Sequence, residues 1–136
     1  VPTVIKSIND HELGGIIRYA QKNMDVVHAV NFQPVSLTGR MGKTEREKYR
    51  ITVPDCVQRI EEQTQGQVTV DDWYPVPSCM PLTNVIEASS SKPKYELSIH
   101  FACGAGTYVF EDADTRKLVP MTRFCYLQGI LELFGD

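Results

Sequence analysis

Two short apolar runs, residues 1–8 and 26–35, flank a segment whose apolar positions recur at helical spacing, namely Leu13, Ile16, Ile17, Ala20 and Met24. That stripe predicts a helix. Asn9 or Asp10 stands where a cap belongs, and Glu12 follows Asn9 by three residues as a capping-box partner. Strand, helix and strand within about 30 to 35 residues mark a right-handed parallel crossover, the unit of doubly wound sheets and barrels. In the second run, alternation sets Val27, Ala29, Asn31 and Gln33 on one face and Val26, His28, Val30 and Phe32 on the other. Two amides thus emerge side by side. Pro34 is expected to end regular pairing, and Gly39 permits a tight turn into Arg40. Ligands of such sheets gather at the carboxyl ends of the strands, so Asn9, Asp10, Asn31 and Gln33 are expected to share one rim.

Beyond this unit the periodicity weakens and then returns. Residues 40–50 are charged without an apolar period and read as a connector with room for a short helix, which places a domain boundary near residue 48. Thr52-Val-Pro-Asp55 opens a second helix, with Thr52 as cap, Pro54 in the first turn, and Val53, Cys56, Val57 and Ile60 as its apolar face. Gly66 stops it. The stretch 71–77 reads as a stiff aromatic and proline loop, and another short helix follows near 80–88. After the linker 89–93, Leu97, Ile99 and Phe101 alternate on a strand. Another strand begins at Tyr108, and residues 112–116 turn it back to 117–119. A last helix is predicted from Thr122, burying Phe124, Leu127, Ile130, Leu131 and Phe134. The class is α/β, a strand-helix-strand portion followed by a small α+β extension.

Composition narrows the function. At 136 residues the chain can bury one core or two small ones. A net charge of -3 with interspersed signs and no basic stripe argues against a nucleic-acid footprint, and no direct nucleic-acid binding is expected. No apolar run approaches the roughly 18 to 20 residues that span a bilayer, and no signal peptide is expected in these residues. Because residue 1 already lies within an apolar run, we expect a piece of a longer protein. Four cysteines are too few for a disulfide scaffold, which points to a reducing, cytoplasmic setting.

Those cysteines, at 56, 79, 103 and 125, form no Cys-x-x-Cys pair. Cys56 sits in a helical apolar stripe and reads as a small buried hydrophobe ahead of a ligand. Cys125 lies beside the stripe of the last helix. Cys79 follows Tyr74-Pro-Val-Pro-Ser78 at a predicted helix start, where backbone amides stabilise a thiolate. Cys103 is followed by Gly104-Ala-Gly106, where the backbone can approach a bulky group. These two are the stronger candidates for metal ligands. His100 neighbours Cys103 but alternates away from the apolar face, His11 reads as a solvated first-turn residue, and His28 as packed. Asp71 and Asp72 read as a solvated turn. Nucleophile elbows, dinucleotide fingerprints and phosphate-binding glycine-lysine loops are missing from the sequence.

Taken together, three segments resemble one group of radical S-adenosylmethionine proteins, the pterin methyltransferase-like enzymes that include tetraether lipid synthase. They are Val-Asn-Phe-Gln-Pro-Val-Ser-Leu-Thr-Gly-Arg at 30–40, Asp-Trp-Tyr-Pro-Val-Pro-Ser-Cys at 72–79 and Cys-Gly-Ala-Gly-Thr-Tyr-Val-Phe at 103–110. The resemblance implies a partial parallel barrel holding S-adenosylmethionine and a 4Fe-4S cluster, with reductive cleavage of the sulfonium and attack on an unactivated C-H bond of a lipid or pterin. It implies that residues 1–48 are the last part of the barrel and 49–136 a C-terminal domain. Asn31, Gln33, Thr38 and Arg40 would line the cofactor or substrate rim. Cys79 and Cys103 would hold an auxiliary iron-sulfur cluster, with Cys56 and Cys125 as completions. The partners implied are the remainder of the parent chain and a reductant protein. The Cys-x-x-x-Cys-x-x-Cys motif of the radical-generating cluster is absent, so these 136 residues are expected to be inactive alone. The competing expectation is a non-catalytic module in which the same thiols bind zinc or serve an interaction.

Overall fold

The computed structural model describes residues 1–37, 42–76, 104–126 and 129, and the chain divides into two compact units, Val1–Val70 and Asp71–Asp136. In the first, β1 (Thr3–Val4) pairs in parallel with β2 (Gln33–Pro34), Thr3 opposite Gln33 and Val4 opposite Pro34, and α1 (Leu13–Lys22) lies between them in sequence. The class is α/β, as the periodicity predicts. The ladder is carried by Gln33 N–H donating to the Pro2 carbonyl and Val35 N–H to that of Val4.

Both strands are shorter than their apolar runs. The first is cut by Asn9, whose Oδ1 accepts the Ile5 N–H at 2.8 Å while its Nδ2 donates to the Thr3 carbonyl, pulling the chain into a turn in which Ser7 has φ 63°. Asn9 and Asp10 therefore do not cap α1. Its cap is Glu12, without a side-chain bond. Residues 26–32 form no ladder; the turn after α1 continues through the N–H groups of Val26 and Val27, both bonded to the Asn23 carbonyl. Pro34 is the last residue of β2, where pairing ends as expected, and it is tolerated opposite Val4 because among the described residues the sheet has two strands.

After α2 (Lys43–Tyr49), a surface helix with no buried residue, α3 spans Val53–Gln63. Its start is the one expected. Thr52 Oγ1 accepts the Asp55 N–H, and the Asp55 carboxylate accepts the Thr52 N–H at 2.8 Å, a reciprocal capping box. Hydrogen bonds from the Thr52 hydroxyl and amide hold the Asp55 carboxyl below its ordinary 3.8. The stabilisation from this group is present above pH 3.8 and is lost as the pH falls through the lower folded value. Thr52→Ala is expected to cost about 1 kcal/mol and to flatten the acid limb of a urea-stability profile; an unchanged acid limb would contradict the cap.

The other end of α3 closes by backbone bonds from Gly66 N–H to the Glu61 carbonyl and Gln65 N–H to that of Glu62, with Gln65 at φ 58° and Gly66 at φ 74°. Cys56, Val57 and Ile60 are buried on this helix, and α3 packs on α1, whose Leu13 is buried, with Val4, Ile51 and Val68 completing the core. Gln63 ties the helices together. Its Oε1 accepts the Gly14 N–H and its Nε2 donates to the Asp10 carbonyl, each at 2.8 Å, while its own carbonyl accepts from Arg18 Nη1 at 2.9 Å.

Among the described residues the second unit contains two antiparallel pairs: β3 (Tyr74–Pro75) with β4 (Ala105–Gly106), and β5 (Val109–Glu111) with β6 (Leu118–Pro120). The second pair is the hairpin predicted around 112–116. Asp112 Oδ1 shapes its loop by accepting from the Asp114 and Thr115 N–H groups and the Thr115 hydroxyl. The supposed stiff loop 71–77 holds a two-residue strand. Where a helix was expected from Thr122, Met121–Arg123 make a 3-10 turn. Phe124 is exposed rather than buried and meets Phe110 edge-on at 5.3 Å. Asp72 is 2% exposed and not a solvated turn residue. It accepts from the Thr122 hydroxyl and pairs with Arg123 Nη2 at 3.1 Å.

The helix near 80–88, the linker 89–93, the strand through Leu97, Ile99 and Phe101, His100, and the end of the last helix lie outside the described residues. The division into compact units falls at Val70 and Asp71 and groups α3 with α1, whereas the division read from the sequence falls at residue 48.

Candidate functional site

The chain leaving β2 runs along one side of an open cleft of about 490 Å³, with Val35 and Leu37 on that side and Ile51 and Thr52 at the entry to α3. Lys43, Arg46 and Glu47 of α2, with Arg50 just past its end, make the other wall. An apolar floor thus meets a charged wall. Lys43 Nζ faces Glu47 Oε1 at 3.9 Å, an exposed pair of small energetic weight. Arg46 and Arg50, four residues apart and so on neighbouring turns, have no acidic partner among the described residues. The charged segment read as a connector with room for a short helix therefore lines a concavity at the carboxyl end of a parallel strand. A regular i, i+4 arginine spacing was the signal available in the sequence.

Of the rim residues read from the sequence, Asn31 and Gln33 are exposed, while Val30, Phe32 and Pro34 between and beside them are partly covered. Thr38 and Arg40 lie outside the described residues. Asn9 and Asp10 do not join a rim. Asn9 is used within its turn, and Asp10 is buried, accepting the Ser7 N–H at 2.9 Å and pairing with Arg59 Nε at 2.9 Å. His28, expected to pack, is exposed, and His11 is solvated beside Glu12.

Cys56 is 5% exposed on the core face of α3. Burial is the main cause that pushes its thiol up from 9.0 to about 11, with the nearby Asp55 and Asp10 charges adding to it. Burial thus favours the protonated form, which packs well and ligates poorly. Because the folded value lies above the unfolded one, this group's contribution to stability is complete below pH 9.0 and is lost as the pH rises through about 11. At pH 8 a soluble thiol reagent is expected to modify Cys56 far more slowly in the native chain than in urea, read by mass spectrometry of its peptide. Equal rates would contradict the burial. Cys125 is a half-buried free thiol in the second unit, its N–H bonded to the Met121 carbonyl. Cys79 and Cys103 lie outside the described residues. Among the described residues no group of three or more His, Cys, Asp and Glu side chains converges to hold a metal ion. None of the described helices is long and apolar enough to cross a membrane.

No family model matches the chain. A curated relative, the 7,8-dihydro-6-hydroxymethylpterin dimethyltransferase of Methanocaldococcus jannaschii, is 50% identical to it over all 136 residues. Those residues span 27% of that protein's length. Identity at this level along the whole chain makes it a homologue of one part of a larger pterin dimethyltransferase.

Proposed function

We propose that this chain is the C-terminal part of a radical S-adenosylmethionine enzyme that modifies an unactivated C-H bond of a pterin or a lipid. The observation that carries the proposal is the 50% identity, without a break in coverage, to a protein named for a dimethylated pterin. The parallel pair β1 and β2 linked through α1 agrees with the end of a partial barrel. In this reading residues 1–48 complete the barrel and 49–136 form its extension. Asn31, Gln33, Thr38 and Arg40 face the cofactor or substrate. S-adenosylmethionine and a 4Fe-4S cluster supply the radical chemistry from the remainder of the parent protein, with a reductant protein as electron source in the cytoplasm. The missing three-cysteine motif makes these residues inactive alone.

The test is the longer reading frame. It is expected to encode Cys-x-x-x-Cys-x-x-Cys upstream, and its purified product to release 5′-deoxyadenosine from S-adenosylmethionine under anaerobic reducing conditions, while the 136-residue chain releases none. Cleavage by the short chain, or a parent without the motif, would sink the proposal. The auxiliary cluster is a separate question. Cys79 and Cys103 are its first ligands and Cys125 a completion, whereas Cys56 would have to abandon the protonated state that its burial favours. Anaerobic reconstitution with iron analysis and electron paramagnetic resonance is expected to show a cluster; tight stoichiometric zinc instead would favour the structural-metal module.

A further inference from the structure

We infer that the cleft between the chain leaving β2 and α2 binds the phosphate group of a small, partly apolar ligand, with Arg46 and Arg50 as the oxyanion contacts. Three observations converge on it. The volume of about 490 Å³ lies within the range of small-molecule sites. The wall carries Lys43, Arg46 and Arg50 against a single acid, Glu47, in a chain whose net charge is -3, so local positive charge is concentrated against the overall sign. Val35, Leu37 and the buried Ile51 supply an apolar surface directly beside these cations.

Arginine in particular suits this chemistry. Its planar guanidinium offers paired N–H donors that match two oxygens of a phosphate, and neither Arg46 nor Arg50 spends them on a carboxylate among the described residues. Lys43 is held only by an exposed contact to Glu47, which a phosphate can displace. Glu47 then becomes the one opposing charge in the wall. The cleft opens where ligands of parallel α/β sheets collect, and its charge is the same whether or not the parent is a radical enzyme.

Inorganic pyrophosphate is the soluble probe, titrated into the 136-residue chain and followed by amide chemical shifts and calorimetry. Saturable binding is expected, with shifts centred on Val35, Leu37 and residues 43–52, weakening as salt is raised. Arg46→Gln and Arg50→Gln are each expected to weaken binding roughly tenfold, as the loss of a charge-assisted hydrogen bond does. Glu47→Gln is expected to tighten it, and Lys22→Gln, on α1, to leave it unchanged. All four side chains are exposed, so folding is checked by circular dichroism alone. Retention on phosphatidylglycerol vesicles that needs both arginines, without pyrophosphate binding, would support the site and assign its phosphate to a lipid headgroup. Neither probe binding, or binding indifferent to the arginine substitutions, would overturn the inference.

Discussion

Gly14→Ala is expected to destabilise the chain by about 3 kcal/mol, an overpacking cost, although alanine is the better helix former. A Cβ at Gly14 would lie 2.7 Å from Gln63 Cβ and 2.9 Å from the Gln63 carbonyl oxygen, and the latter belongs to backbone that cannot step aside without moving the end of α3. The same shift would stretch the 2.8 Å bond from Gly14 N–H to Gln63 Oε1, the bond from Gln63 Nε2 to the Asp10 carbonyl and the bond from Arg18 Nη1 to the Gln63 carbonyl. Gly15 is the internal control. Nothing lies within 4 Å of its would-be Cβ, so Gly15→Ala is expected to stabilise by up to about 1 kcal/mol through chain entropy. Urea unfolding of the two variants side by side reads the contrast. A Gly14→Ala chain as stable as the parent would mean that α1 and α3 do not approach as described.

Asp72→Ala is expected to have the next largest effect, a loss of about 3 kcal/mol from the hydrogen bonds that its buried carboxylate accepts. A solvated turn residue would lose no more than about 0.5 kcal/mol. Its carboxylate is 2% exposed as a residue and receives the Thr122 hydroxyl and the Arg123 guanidinium, joining the 3-10 turn at Val70–Asp72 to the one at Met121–Arg123. Arg123→Ala is expected to cost about as much, about 3 kcal/mol, because it leaves the buried carboxylate without its cation. Adding Arg123→Ala to Asp72→Ala should therefore cost little more than Asp72→Ala alone, and full additivity in the double-mutant cycle would show that the pair is not coupled.

The parts of the fold legible in the sequence are those made by neighbours along the chain. Thr52, Pro54 and Asp55 announced α3 and its cap correctly, and the spacing of Cys56, Val57 and Ile60 identified its buried face. The Asp112 loop was equally plain. Errors arose where a side chain had two local uses of similar energy. Asn9 could cap a helix or close a turn onto Ile5 and Thr3, and it does the second, so α1 begins at Leu13 and β1 ends early.

For the candidate site the same division holds. An apolar stripe correctly placed Cys56 in a core, because periodicity encodes which face is covered. Nothing in a periodicity argument pairs residues 50 apart, as in Asp72 with Thr122, or sets Gln63 against Gly14. Nor does it show that the arginines of a charged connector border a cleft. Such partners meet through packing of whole elements, in which the entropy of closing a long loop is offset by buried contacts far from either residue. Local rules therefore suffice for caps, stripes and turns, while the close contact at Gly14, the burial of Asp72 and the cationic wall at Arg46 and Arg50 exist once the chain has folded back on itself.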